Sequence, residues 1–208
     1  MNFKDELKKA YDADALRREQ GVKDRDEWKL KAREGFANRI SKNGGKSILE
    51  IGAGVGHDSL YFKERGFEVL AVDLSEGMVE SCKKRGLTAK VMDVSEIGGI
   101  GRKFDGIYSM NVMLHVSNEE IESVLESIKD ALNKNGLFYY GSYGNKDEVR
   151  TIIDKSKMGM PRKFFFRSDE TLQKIVGKDF EIVEFKKIEL NVKNDLYFQS
   201  LLLKRKED

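Results

Sequence analysis

Ser47-Ile48-Leu49-Glu50-Ile51-Gly52-Ala53-Gly54-Val55-Gly56 decides how this chain folds. Its first half reads as a short buried strand, and the glycines after it read as a tight turn. His57 to Arg65, with Gly66 as its stop, then reads as one short helix. A strand, a glycine loop and a helix N-terminus in succession make the geometry of a nucleotide-type cofactor site. Glycines at 52, 54 and 56 let the backbone turn sharply. They also let a ligand approach the main chain where a Cβ would collide.

Downstream of this stretch, strands and helices alternate. Phe67 to Val72 is an apolar strand ending at Asp73, and Ser75 caps a helix through Arg85 with Met78, Val79 and Cys82 on its inner face. Leu87 to Met92 is a third strand, ending at Asp93. Residues 94–103 hold glycines and no clear period, so they read as a loop. Phe104 to Met110 is a fourth strand. Asn118 caps a long helix whose buried stripe is Ile121, Val124, Leu125, Ile128 and Leu132, ending at Asn135-Gly136. Leu137 to Tyr143 is a fifth strand. Strands joined by helical crossovers imply a parallel, doubly wound sheet. Residues 144–163 read as a polar, mobile insertion, Phe164-Phe165-Phe166 as core, and Ser168 as the cap of a helix through Val176. Phe180 to Leu190 and Leu196 to Lys204 are close enough in sequence to form an antiparallel hairpin.

Upstream, residues 1–43 read as two charged helices separated by Gly21. Phe3, Leu7 and Tyr11 recur every four residues, as do Trp28, Ala32, Phe36 and Ile40. Neither apolar face is wide enough to stand alone, so both helices should lie on the domain that follows.

Composition narrows the partners. The 208 residues include 38 Lys and Arg against 36 Asp and Glu, a net charge of +2 with the signs intermixed. A nucleic-acid binder usually shows a basic stripe, so no nucleic-acid partner is expected. The single cysteine, Cys82, fits a reducing compartment. No apolar run approaches membrane-span length, and Met1 to Glu6 carries acids without an apolar signal core. A cytoplasmic protein with no membrane partner is expected.

The glycine spacing discriminates between ligands. A dinucleotide loop wants Gly-x-Gly-x-x-Gly, but the position that pattern requires, 57, is histidine. Asp73 lies about twenty residues on, where a carboxylate accepts from ribose hydroxyls. It also disfavours a 2′-phosphate. Glu50, Asp73 and Asp93 line one crevice at the ends of adjacent strands, which suits a cationic or hydroxyl-rich ligand better than a pyrophosphate.

Glu50-x-Gly52-x-Gly54-x-Gly56, Ala71-Val72-Asp73-Leu74-Ser75, Asp93, Phe104-Asp105 leading to His115, and Gly136-Leu137-Phe138 follow one another in order. In this the chain resembles the class I S-adenosylmethionine-dependent methyltransferases, and within them the small bacterial methyltransferase-domain proteins. The later Pro161-Arg162-Lys163-Phe164-Phe165 and Phe198-Gln199-Ser200-Leu201 are similar to those as well. The resemblance implies an α/β, Rossmann-like, seven-stranded and mostly parallel sheet, with an antiparallel C-terminal hairpin whose last strand is inserted. The expected organisation is a helical cap over residues 1–43 and the methyltransferase domain over 44–208.

The same resemblance implies a cofactor, S-adenosylmethionine, and its contacts. Backbone at Gly52, Ala53 and Gly54 lies against the methionine and ribose, with Gly56 completing the loop. Glu50 orients the loop and reaches the amino group through water. Asp73 takes the ribose hydroxyls, Leu74 and Met78 pack on adenine, Asp93 accepts from its amino group beside Val94, and Met110 and Asn111 sit near the sulfonium. Asp58, in the first helical turn, suits the positive helix end and a cofactor amino group.

Methyl transfer asks the protein mainly to align a nucleophile and exclude water, so the catalytic site is nearly silent in sequence. His115 is the candidate base, set against a histidine that merely packs on the following helix. His57 reads as a surface residue and Cys82 as a small apolar one. Tyr11 and Trp28 are either core anchors or lid aromatics over the acceptor. Tyr143 is the pocket candidate of the fifth strand, and Arg162 could face an anionic acceptor.

No Asp/Asn-Pro-Pro-aromatic motif follows the fourth strand, and paired glutamates of the arginine-methylating type and metal-binding acids of the catechol type are missing. By elimination a small-molecule acceptor and a metal-independent reaction are expected. A non-catalytic cofactor-binding protein and an NAD-dependent oxidoreductase are the alternatives.

Overall fold

The computed structural model of the chain describes residues 3–21, 26–153, 159–189 and 196–207. In chain order the elements are α1 (Phe3–Gln20), α2 (Glu27–Lys42), β1 (Ser47–Ile51), α3 (His57–Glu64), β2 (Glu68–Asp73), α4 (Glu76–Lys84) and β3 (Thr88–Val91). There follow β4 (Phe104–Met110), α5 (Ile121–Asp130), β5 (Leu132–Gly144), β6 (Glu148–Ile153), β7 (Pro161–Phe166), α6 (Asp169–Asp179), β8 (Phe180–Ile188) and β9 (Tyr197–Arg205). The main sheet runs β3-β2-β1-β4-β5-β9-β8. Its first five members are parallel, and β9 lies antiparallel between β5 and β8. This is the mostly parallel, seven-stranded sheet with an inserted last strand that the sequence led one to expect. The expected strand end at Leu190 lies outside the described residues.

β1 is buried along its whole length because both faces of the sheet are covered. Leu49 and Ile51 join Ile107, Phe138 and Tyr140 against Val124 and Leu125 of α5 and Leu172 of α6. Ile48 joins Phe62, Tyr108 and Tyr139 against Phe36, Ala37 and Ile40 of α2. The two helices expected as one cap therefore separate. α2 closes a face of the sheet, because Phe36 and Ile40 find their burial there. α1 lies elsewhere: Asp12 accepts from Ser75 Oγ (2.6 Å) and from the Gly77 N–H (3.2 Å) at the start of α4, and Phe3 packs edge-on against Phe165 of β7.

Several local expectations are corrected. Residues 94–99 form a 3-10 turn, not a loop, because Asp93 accepts from the Ser95 N–H while Glu96 reaches back to the Asp93 N–H. Asn118 does not cap α5. Its Oδ1 accepts from Arg167, and Ser117 Oγ accepts from the Glu120 N–H instead. α5 ends at Asp130, and Leu132 already belongs to β5, paired with Phe104. The polar insertion contains a β6–β7 hairpin, registered from Glu148↔Phe166 to Ile153↔Pro161. Its period was hard to read because only one strand, β7, carries buried aromatics, Phe165 and Phe166.

Asp105 ties the start of β4 to that of β1. It accepts from the Lys46 and Ser47 N–H groups (2.7 and 3.0 Å), from Ser47 Oγ and from Asn133 Nδ2. Burial works against its charge, yet these bonds outweigh it and its pKa is lowered. A depressed carboxylate stabilises the fold above its unfolded pKa of about 3.9, and that stability is lost as pH falls through the folded value. Denaturation midpoints taken from about pH 5 down to about pH 2 should therefore fall more steeply for the wild type than for Asp105→Asn.

Candidate active site

A cavity of about 400 Å³ opens at the carboxyl ends of β1, β2 and β4. This is where doubly wound sheets hold ligands. The glycine loop forms its floor. The N–H groups of Gly52 and Ala53 both reach the Val72 carbonyl (2.8 and 3.0 Å), which turns the chain across the end of β2. Gly52 adopts φ +71°, and a Cβ there would stand 2.1 Å from Val112 Cγ2. At Gly54 the same construction meets only open space, so this backbone faces the cavity bare.

Asp73 anchors the loop, accepting from the Gly54 N–H (2.8 Å) through one oxygen and from the Ser75 N–H (2.9 Å) through the other. Burial raises its pKa although both amides pull it down. Glu50 is buried and accepts from Ser59 Oγ at the start of α3. Asp58 is buried beside it and pairs with Arg33 of α2 at 3.0 Å. Leu74, Met78, Asp93, Val94, Met110 and Asn111 complete the expected set and all line the cavity. Asn111 holds φ +61°, and its Oδ1 is buried without a hydrogen-bond partner. Gly56 is the exception. It turns toward Cys82 and Leu87 and does not line the cavity.

Of the four residues expected at the acceptor, Tyr11 alone lines the cavity. Trp28 and Tyr143 are half-buried and both pack on Phe198, with ring centroids 4.4 and 5.4 Å away, and neither lines the cavity. Arg162 is buried and its guanidinium lies 5.7 Å from the centroid of the Phe164 ring. His115 does line the cavity, wedged between Tyr11 and Phe164. Its ring nitrogens lie 2.9 Å from Tyr11 Oη and 2.9 Å from the Lys163 carbonyl. Burial, reinforced by Arg162 and Arg18, lowers its pKa to about 4. His57, expected at the surface, also reaches the lining, since the helix N-terminus points into the crevice. Cys82 is fully buried, donates to the Gly54 carbonyl, and has its pKa raised to about 12 by burial, as suits an inert packing residue.

Sequence reasoning missed the roof and the braces. Lys4, Leu7 and Arg18 of α1 reach the cavity alongside Tyr11. Lys4 bridges Asp93 and Glu120 (3.4 and 2.8 Å), joining α1 to the rim. Arg33 braces Asp58, and Arg167 braces the turn that carries His115. The period-four spacing of Leu7 and Tyr11 was the only visible signal. The rest are contacts between residues far apart in sequence. Among the described residues no cluster of three or more His, Cys, Asp or Glu is placed to hold a metal ion, and no helix is long and apolar enough to cross a membrane.

Comparison with known proteins adds independent findings. A family described as a methyltransferase domain matches residues 48–136. The tRNA U34 carboxymethyltransferase of Campylobacter jejuni is 25% identical over 169 residues, covering 75% of this chain and 56% of that protein. The chain thus spans about half the length of the curated relatives it matches. In structure it is similar to the 1,6-didemethyltoxoflavin-N1-methyltransferase of Burkholderia thailandensis, solved with 1,6-didemethyltoxoflavin and S-adenosylhomocysteine. That pair shares 20% identity and a TM-score of 0.71, over 98% of this chain and 88% of the other. The magnesium protoporphyrin IX methyltransferase of Synechocystis PCC 6803, solved with S-adenosylmethionine, shares 16% identity and a TM-score of 0.70 over 99% and 98%.

Proposed function

We propose that the chain, residues 48–136 of which match a methyltransferase-domain family, is a class I S-adenosylmethionine-dependent methyltransferase that methylates a small-molecule acceptor. The observation that carries the reading is the roofed cavity with one buried polar atom, Asn111 Oδ1, lacking a partner at the end of β4. A buried unpaired acceptor is costly, and a ligand there would satisfy it. The open space over Gly54 suits the same ligand.

When bound, S-adenosylmethionine supplies a methyl group on a cationic sulfur, open to in-line displacement by a nucleophile. The chain's own residues then divide the work. Asp73 keeps lone pairs beyond the two that Gly54 and Ser75 occupy, since a carboxylate offers about four acceptor sites. These would take ribose hydroxyls. Leu74 and Met78 offer an apolar wall for adenine, with Asp93 and Val94 at its edge. Glu50 and Asp58 bring acidic groups to the methionine end. α1 covers the crevice and excludes water, which strengthens the electrostatic contacts beneath it.

A cavity of about 400 Å³ is of the size that holds a small ligand such as the donor, and a small-molecule acceptor is supported by the intermixed surface charge and the missing nucleic-acid-methylating motif after β4. The tRNA-acting relative favours a second reading, in which a nucleotide of RNA is the acceptor. Calorimetry with S-adenosylhomocysteine and with NAD⁺ tests the donor, and only the first is expected to bind. Tritiated S-adenosylmethionine incubated with separated RNA and low-molecular-weight fractions of cell extract tests the acceptor. Label is expected in the small molecules. Label in RNA favours the second reading, and no transfer despite tight binding favours a non-catalytic binding protein.

A further inference from the structure

The two ends of His115 determine what its neighbour can do. Nδ1 faces the Lys163 carbonyl of β7 at 2.9 Å. A carbonyl only accepts, so Nδ1 carries the hydrogen. The ring is held neutral by burial, with the Arg162 and Arg18 guanidiniums acting in the same sense. Nε2 is therefore bare and accepts, and Tyr11 Oη, 2.9 Å away, must donate to it. A hydroxyl has one hydrogen, and that of Tyr11 is committed to the histidine. Arg162 also donates to this oxygen, so what Tyr11 keeps for the cavity is its remaining lone pair and no hydrogen. The β6–β7 hairpin, unremarkable in sequence, thus sets the polarity of a hydroxyl on α1.

We propose that Tyr11 is a catalytic residue that accepts a hydrogen bond from the nucleophilic atom of the acceptor, with His115 positioning it from behind, and that the acceptor therefore bears a hydroxyl or a neutral N–H at the atom methylated. The proposal rests on the methyltransferase reading above. The acceptor's lone pair forms the bond to the methyl carbon, and the electron pair of the broken bond stays on the leaving sulfur. The acceptor's proton passes to Tyr11 Oη while the hydroxyl hydrogen of Tyr11 passes to His115 Nε2. Net charge within the site is conserved, because the positive charge leaves sulfur and arrives on the imidazole. Its low basicity makes that stay brief, and the proton leaves to water with the product. The charges of Arg18 of α1 and Arg162 of β7 act on both rings, and the Asp73 carboxylate acts on Tyr11 in the opposite sense. Two nearby guanidiniums disfavour an ammonium acceptor and favour a neutral one.

Two readouts on the full chain test this. In the first, nitrogen-15 spectra of the histidines with S-adenosylhomocysteine present should show His115 protonated at Nδ1 and bare at Nε2, with the Nε2 resonance displaced in Tyr11→Phe. A hydrogen on Nε2, or no displacement in the variant, overturns the proposal. In the second, tritiated donor is offered to phenols and heteroaromatic N–H compounds, and to carboxylates, thiolates and tertiary amines of matched size, alongside the low-molecular-weight extract. Label is expected on hydroxyl or N–H atoms. Tyr11→Phe should lower kcat about 100-fold or more while KM moves less than about threefold. The wild-type rate should be flat from about pH 6 to about pH 9, and that of Tyr11→Phe should climb with pH, because the acceptor must then shed its proton unaided. Equal transfer to tertiary amines, or a wild-type kcat in the variant, overturns the pair alone. Failure of the wild type to bind S-adenosylhomocysteine overturns the methyltransferase reading and the proposal with it.

Discussion

Asp73→Ala is expected to weaken S-adenosylhomocysteine binding by about 100-fold or more, which is about 3 kcal/mol of binding free energy. The size follows from two losses at one side chain. The carboxylate holds the Gly54 and Ser75 N–H groups at 2.8 and 2.9 Å, one on each oxygen. Alanine leaves both amides without their partner at the mouth of a half-buried loop, and hydrogen bonds to a charged group are worth about 1.5–3 kcal/mol each. It also removes the acceptor proposed for the ribose hydroxyls. Asp73→Asn keeps the shape and one carbonyl oxygen, so it should lose less, about tenfold. Calorimetry at one pH on all three chains checks the order. An alanine variant that binds within about threefold of wild type would remove Asp73 from the cofactor site.

Arg167→Ala is expected to destabilise the fold by about 3 kcal/mol or more, because it strands several buried acceptors at about 1–3 kcal/mol each. Arg167 follows β7 and is almost fully buried. Its guanidinium donates to the carbonyls of Met113 (3.0 Å), Val116 (2.8 Å) and Phe165 (3.3 Å), and to Asn118 Oδ1 (3.0 Å). These acceptors belong to the turn after β4 that carries His115, and to the hairpin strand whose Lys163 carbonyl meets it. One side chain therefore holds together the two segments that meet at His115. Alanine would leave several buried carbonyls without donors. Lysine, with a point charge in place of a planar fork, should recover only part of the loss. Urea denaturation reads the change as a lower midpoint at unchanged slope. A loss under about 1 kcal/mol would mean that water takes over the carbonyls freely.

Local sequence was informative wherever a single element makes the chemistry. The glycine loop, the acids at the ends of β1, β2 and β3, and the caps at Ser75 and Ser168 are all set within a few residues of themselves, and Ser75 and Ser168 do accept from the Met78 and Thr171 N–H groups. Asn118 shows the limit. Its side chain suits a cap, but Arg167, 49 residues away, took its oxygen. Trp28 and Tyr143 show the same limit from another side. An aromatic ring serves a pocket or a packing contact equally well on paper, and both rings lie against Phe198, away from the cavity lining.

The amino-acid sequence by itself determined the parallel sheet, the antiparallel hairpin at its end, the crevice and the loop across it, because hydrophobic period, glycine spacing and turn chemistry act over short stretches of chain; that the last strand is inserted came from the family resemblance. Tertiary structure alone decided which N-terminal helix roofs the crevice, which side chains reach the cavity and which partner the Tyr11 hydroxyl meets. That last choice depends on a carbonyl of β7 meeting a histidine after β4 and a tyrosine of α1. A hydrogen bond has a direction set by both of its partners. No pattern within one segment can encode a partner that only folding brings within 3 Å.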